Sequence, residues 1–96
     1  MQAAESTTKA LIVVDMQNDF CTGGSLCVPK NEEIFPVIEQ LRVDAYSSQW
    51  KKVYFTRDWH PADHCSFQAN HPGTELFSTI TLPTGVEQVM WPTHCV

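Results

Sequence analysis

The sequence lacks any apolar run close to the roughly 20 residues that a membrane-crossing helix requires. Residues 1–9 are polar and lack the apolar core of a signal peptide. Basic side chains are also scarce, with six lysines and arginines against eleven aspartates and glutamates and a net charge of -5. A chain of this charge repels phosphate backbones and anionic membranes, so we expect neither nucleic acid nor a membrane as a partner.

Cysteine pairs of the Cys-x-x-Cys type are absent as well. Four cysteines lie at positions 21, 27, 65 and 95, and nothing in the sequence indicates secretion. We therefore expect reduced thiols and a cytoplasmic location. The length of 96 residues limits the chain to one small domain. Residues 1–9 are predicted to form a flexible polar head, and residues 10–96 to belong to a single domain.

The first patterned segment is an apolar run over residues 10–14 that ends at Asp15. A short, β-branched run predicts a strand over residues 10–15 that is buried on both faces, which is typical of a parallel sheet. Ligands of such sheets bind beyond the carboxyl ends of the strands. Asp15 stands at that end and is a candidate catalytic residue, although an Asp there can equally well hydrogen-bond the following turn.

A helix is predicted to begin near Asn31, whose side chain can cap it. Pro36 falls in its first turn. Apolar residues then recur at helical spacing, namely Ile34, Ile38, Leu41 and Ala45.

Residues 50–56 are typical of a second strand, so strand, helix and strand predict a βαβ unit with a right-handed crossover and an α/β fold class. After residue 60, prolines and glycines interrupt the chain repeatedly. This punctuation predicts a long irregular segment, which in a compact domain is either functional or disordered.

Metal chemistry is suggested by the residues that follow the second strand. Asp58 and His60 are two positions apart, so in an extended chain both side chains point to the same side. Oxygen plus imidazole suits zinc, manganese or iron(II), although an isolated Asp-x-His is also an ordinary surface pair. His64 follows, but Pro61 disfavours a helix that would place it on one face with His60. His94 is the third candidate.

Four separated motifs resemble one known family. They are residues 14–20 (Val-Asp-Met-Gln-Asn-Asp-Phe), 24–26 (Gly-Ser-Leu), 56–61 (Thr-Arg-Asp-Trp-His-Pro) and 91–96 (Trp-Pro-Thr-His-Cys-Val). In this order they closely resemble the nicotinamidases of the isochorismatase-like hydrolase superfamily. The resemblance implies a three-layer α/β fold with a central parallel sheet, of which these residues are the N-terminal portion. It disfavours metal-free relatives, which lack the Asp-x-His and Trp-Pro-x-His-Cys motifs.

The resemblance also implies an activity, the hydrolysis of nicotinamide to nicotinic acid and ammonia in NAD salvage. Asp15 would be the catalytic acid and base, and Phe20 and Trp91 would flank the pyridine ring, although core packing explains Phe20 about as well. The cofactor would be a divalent transition metal, zinc before manganese or iron. A homo-oligomer is expected for the full-length protein. The implied ligands are Asp58, His60 and His94, with His64 as an extra ligand in some members.

The sequence departs from the family at its catalytic Lys and Cys, which in nicotinamidases lie downstream of the last motif. Cys95 belongs to that motif and is not expected to be the nucleophile. We therefore expect an N-terminal fragment of an amidohydrolase that is inactive by itself. The alternative is a non-catalytic product that binds metal or pairs with a full-length subunit.

Overall fold

The computed structural model describes residues 8–44 and 50–96. Ala45 and most of the predicted polar head lie outside these ranges. Short 3-10 turns cover Asn18–Phe20, Asn31–Ile34 and Gln68–Asn70. The longer elements, in chain order, are β1 (Ala10–Val13), α1 (Phe35–Asp44), β2 (Lys52–Phe55), β3 (Thr79–Thr81) and β4 (Glu87–Val89). None of the helices in the two described ranges combines the length and the apolarity needed to cross a membrane.

The strands β1 and β2 form a parallel pair in which Leu11 lies opposite Val53. Two further main-chain hydrogen bonds extend the pairing beyond the strands, from Thr56 N–H to Val13 C=O (2.9 Å) and from Asp15 N–H to Thr56 C=O (3.2 Å). The helix α1 lies between the strands in sequence and contacts β1. The predicted parallel βαβ arrangement is therefore confirmed, and it places residues 15 and 56 side by side at the carboxyl ends of both strands.

The prediction that β1 is buried on both faces is wrong for the described residues. Ile12 is 59% exposed, and its partner Tyr54 on β2 is 51% exposed. Val13, by contrast, is buried. One face of the pair has no covering layer within residues 8–44 and 50–96, so its apolar side chains face solvent.

The start of the helix also differs from the prediction. Lys30, in the left-handed conformation with φ of 62°, precedes the first turn, and Asn31 is the first residue inside it. The Asn31 side chain makes no capping bond and donates to the Val28 carbonyl at 2.7 Å. Pro36 is the second residue of α1, where its missing N–H costs nothing because the first helical N–H groups have no intrahelical partner.

The segment after residue 60 is more regular than the sequence predicted. Strands β3 and β4 form an antiparallel hairpin in a separate two-stranded sheet. Its turn is closed by hydrogen bonds from Leu82 N–H to Val86 C=O and from Gly85 N–H to Leu82 C=O, both 2.8 Å long. Gly85 has a φ of 90°, which glycine adopts readily. Pro83 and Gly85 therefore mark a tight turn between strands rather than irregular chain.

Buried apolar residues lie beside the hairpin. Phe67 and Met90 are fully buried. Trp91 N–H donates to Ser66 C=O, and Gln68 N–H donates to Trp91 C=O, both at 2.8 Å. These bonds hold the chain around residue 67 against the chain around residue 91, so that segments far apart in sequence meet next to the end of β2.

Candidate metal and catalytic site

Three of the predicted ligands come together. The candidate ligand atoms of Asp58, His60 and His94 all lie within 4.8 Å of one another. His60 Nε2 is 3.3 Å from Asp58 Oδ1, and His94 Nε2 is 3.7 Å from Asp58 Oδ2. Asp58 and His60 sit on the loop directly after β2, while His94 arrives from the far end of the sequence. We call these three residues the ligand group.

The other ring nitrogens of the two histidines are already engaged. His60 Nδ1 is 3.3 Å from the His94 carbonyl oxygen, and His94 Nδ1 is 2.8 Å from the Pro92 carbonyl oxygen. A carbonyl oxygen only accepts, so both Nδ1 atoms carry the proton and, in a neutral ring, Nε2 carries the lone pair. Both lone pairs then point towards the Asp58 carboxylate. Two lone pairs beside a carboxylate need positive charge between them, which either a proton on Nε2 or a divalent metal supplies, and one carboxylate with two imidazoles is a ligand set that such a metal accepts.

The surroundings of the ligand group are aromatic. Phe67 is fully buried, and its ring centroid lies 5.2 Å from that of His60 and 5.4 Å from that of His94. His60 N–H donates to the Cys95 carbonyl at 2.7 Å, which ties the two ligand-bearing segments together. His94 is buried, whereas the Asp58 side chain is about one-third exposed at 35%. The ligand group is therefore packed against Phe67, while the Asp58 side chain remains accessible to solvent.

His64 lies next to the group without joining it. Its ring centroid is 4.7 Å from that of His60. However, Ser66 N–H donates to His64 Nδ1 at 3.1 Å, and the Ser66 hydroxyl lies 2.7 Å from the same nitrogen. With Nδ1 as the acceptor, the neutral ring carries its proton on Nε2 and has no lone pair left for a metal.

Asp15 lies at the end of β1, as predicted. Its main chain has a φ of 55°, and its Oδ1 accepts a hydrogen bond from the Thr56 hydroxyl at 3.3 Å. Asp15 lines a cavity of about 430 Å³ together with Phe20 and Lys30. Phe20 also reaches the ligand group, since its ring centroid lies 5.7 Å from that of His94. Phe20 therefore joins the cavity of Asp15 to the ligand group.

Trp91 lies away from the cavity that Phe20 and Asp15 line. The residues that line the cavity of Asp15 do not include it. Its indole instead meets the ring of Phe77 edge to face, with centroids 6.1 Å apart. Phe77 itself has a φ of 66°, which is unusual for a bulky side chain. Of the two aromatic residues, only Phe20 lines the cavity of Asp15.

Cys95 is buried, and its surroundings disfavour the thiolate. Burial raises the pKa of its thiol above the ordinary value, and the carboxylates of Asp58, Asp19 and Asp15 raise it further, while a hydrogen bond from Gln17 lowers it. A thiol held protonated is a poor nucleophile. The raised pKa is in line with the expectation that Cys95 is not the nucleophile. The four cysteines are all free thiols.

Sequence reasoning missed the polar residues that hold the site together. The Gln17 side chain bonds both main-chain groups of Asp58. Cys95 N–H donates to Asp19 Oδ2 at 2.7 Å, and the Ser25 hydroxyl donates to the Thr93 carbonyl at 2.7 Å. All three side chains belong to the first two motifs, but sequence spacing does not show that their partners are 41 to 78 residues away.

Comparison with known proteins places these motifs in context. The chain matches the family model of the isochorismatase domain over residues 9–90. It is 44% identical over 96 residues to the nicotinamidase of Acinetobacter baylyi, a match that covers all of this chain and 42% of that protein. It is 47% identical to the nicotinamidase of Saccharomyces cerevisiae, covering 92% of this chain and 44% of that protein.

A solved structure also resembles this chain. The crystal structure of the yeast nicotinamidase bound to the inhibitor nicotinaldehyde matches 93% of this chain and 44% of its own, with a TM-score of 0.79 and 47% identity. The chain thus spans less than half the length of these relatives. The parallel strands and helix correspond to the N-terminal portion of the α/β fold that the motifs implied. Because the family model covers most of its residues, the chain belongs to the isochorismatase domain family.

Proposed function

We propose that this protein is an amidohydrolase that converts nicotinamide to nicotinic acid and ammonia. The observation that carries the proposal is the position of Phe20, which lines the cavity of Asp15 and lies against the ring of His94. A planar heteroaromatic amide in this cavity would meet the Asp15 carboxylate and the ring of Phe20, which in turn contacts His94 of the ligand group. The similarity to nicotinamidases supports the same substrate.

In this proposal Asp15 is the acid and base of the reaction. Its carboxylate would take the proton of the attacking thiol and later give it to the departing ammonia. The bond from the Thr56 hydroxyl fixes one carboxylate oxygen. Phe20 would offer its ring face to the pyridine, and we propose the same role for Trp91, whose indole is partly exposed.

Asp58, His60 and His94 would hold a divalent transition metal, zinc before manganese or iron. One carboxylate and two imidazoles with engaged Nδ1 atoms are a set that these metals accept. A bound metal would supply a Lewis acid for the pyridine nitrogen. The chain's own contribution is the fixed tautomer of both rings, which keeps each Nε2 lone pair directed at one point.

The family resemblance assigns the lysine and the nucleophilic cysteine to positions beyond these 96 residues. The isolated chain is therefore proposed to release no ammonia from nicotinamide. The decisive experiment is a chimera in which this chain replaces the matched 42% of the Acinetobacter baylyi nicotinamidase. Ammonia release by the folded chimera would support the proposal. A folded, metal-loaded chimera without activity would contradict it.

The second candidate function is metal binding without catalysis, either alone or beside a full-length subunit. One observation favours it, namely that the ligand group assembles entirely from residues of this chain. Metal binding by the isolated chain together with an inactive chimera would select this alternative. A homo-oligomer, a cytoplasmic location and a place in NAD salvage are parts of the enzyme proposal and depend on the active outcome.

A further inference from the structure

Gln17 makes a contact that the ligand roles assigned above do not explain. Its Oε1 accepts from Asp58 N–H at 2.6 Å, and its Nε2 donates to the Asp58 carbonyl at 2.9 Å. Among the described residues, no main-chain group bonds the N–H or C=O of Asp58. The Gln17 amide therefore takes the place of a neighbouring strand just where the pairing of β1 and β2 has ended.

The same amide also reaches the segment that carries His94. Its Nε2 donates a second hydrogen bond to Cys95 Sγ at 3.2 Å. The three bonds use both N–H groups and one lone pair of the amide. Its orientation is fixed, because the reverse orientation would set an amide N–H against Asp58 N–H and the amide oxygen against the Asp58 carbonyl. One half-buried side chain thus links the end of β1 to the residue that supplies the carboxylate and to the neighbour of the second imidazole.

Cys95 shows why such a link matters. Its φ of 53° is a conformation that non-glycine residues rarely adopt, and it persists only when the surroundings hold it. Three hydrogen bonds hold Cys95. Its Sγ accepts from Gln17 Nε2, its N–H donates to Asp19 Oδ2, and its carbonyl accepts from His60 N–H. Without them Cys95 can relax to an ordinary φ, which would re-aim its carbonyl and break the bond from His60 N–H that ties the segment of His94 to that of Asp58.

We propose that Gln17 is a positioning residue of the metal site, whose amide sets the separation between the Asp58 carboxylate and the His94 imidazole. This inference rests on the proposed metal-binding role of the ligand group and extends it to a residue that is not itself a ligand. Replacing such an outer residue commonly lowers metal affinity by about 10- to 100-fold.

The test uses the whole 96-residue chain with zinc and cobalt(II) as probes. Gln17→Met keeps the length of the side chain and removes all three hydrogen bonds. We expect its zinc affinity to fall by about 10- to 100-fold and the visible absorption of the cobalt-loaded chain to change, because the ligand geometry changes. The matched control is Gln88→Met on β4, where the lost bond joins Gln88 to its neighbour Val89. We expect the control to match the unmodified chain.

The outcomes separate the two proposals. If the unmodified chain binds no metal, the metal-site proposal and this inference both fail. If it binds metal and Gln17→Met binds equally well with an unchanged cobalt spectrum, this inference alone is overturned. Should Gln17→Met lose the far-ultraviolet circular dichroism of the unmodified chain, Gln17→Glu decides, since it keeps the acceptor for Asp58 N–H and loses both donors. An unchanged cobalt spectrum in that variant overturns the inference, and a changed one supports it.

Discussion

The ring of Phe20 lies 5.7 Å from the ring of His94 and is tilted by 56° to it. The contact joins the polar turn after β1 to the last segment of the chain, 74 positions later. Phe20 also lines the cavity of Asp15, so that one aromatic side chain contacts both parts of the proposed active site. Changes at the ligand group are therefore expected to alter the cavity as well.

The ligand group predicts a metal content of one zinc per chain. His60→Ala removes one of three donors, so we expect the zinc that survives dialysis to fall close to zero. His71→Ala is the matched control, because the His71 ring bonds the Cys65 carbonyl and stands outside the group. Elemental analysis by mass spectrometry measures the content. Equal zinc in His60→Ala and the unmodified chain would exclude this site.

His64 is predicted to be dispensable for stoichiometry. Its Nδ1 already accepts from Ser66, and the neutral ring therefore keeps a proton on Nε2. His64→Gln should retain one zinc per chain, in contrast to His94→Gln, which should lose it. Titration with a colorimetric zinc indicator measures both. Loss of zinc from His64→Gln would show that its ring turns over and becomes a fourth ligand.

Asp15 is predicted to be essential for turnover in the chimera with the Acinetobacter baylyi enzyme. Asp15→Asn removes the acid and base, and ammonia release should fall by at least about 10²- to 10⁴-fold. Asp63→Asn, on the exposed loop after His60, controls for the loss of one negative charge. A chimera that keeps its rate after Asp15→Asn would remove Asp15 from the mechanism.

Gly24 is predicted to be required by close packing rather than by its backbone angle. A Cβ at this position would fall inside van der Waals contact with the main chain of Asn18 and Asp19. Gly24→Ala should therefore lower the free energy of unfolding by about 1–3 kcal/mol, as overpacking does. Gly23→Ala meets no atom within 4 Å and serves as the control, with only the strain of its φ of 89°. Urea unfolding compares them, and we expect the larger loss at Gly24.

The open face of the β1 and β2 pair predicts self-association of the isolated chain. Ile12 and Tyr54 are both more than half exposed, and exposed apolar strands tend to pair with other chains. The double variant Ile12→Lys with Tyr54→Lys should shift the chain towards monomer in sedimentation velocity. Val37→Lys and Val86→Lys, at similarly exposed apolar sites outside this face, are the control. Equal association of both double variants would locate the contact elsewhere.

Much of the fold was predictable because it depends on local pattern. The apolar run before Asp15 predicted a strand, helical spacing predicted α1, and the parallel pairing followed from their order. The hairpin of β3 and β4 was not predictable in the same way, since Pro83 and Gly85 by themselves do not distinguish a tight turn from irregular chain. The cap at Asn31 was wrong because Lys30 occupies the N-cap position and Asn31 lies inside the first turn.

The sequence by itself determined the chemical groups of the site and, through its motifs, the family. Asp58 and His60 could be paired from their spacing alone, because two positions along an extended chain return to the same side. Only the tertiary structure decided which residues distant in sequence are in contact. It brought His94 to Asp58, set Phe20 against His94 and placed Trp91 against Phe77 instead. Such contacts depend on chain packing between segments distant in sequence, where spacing carries no information.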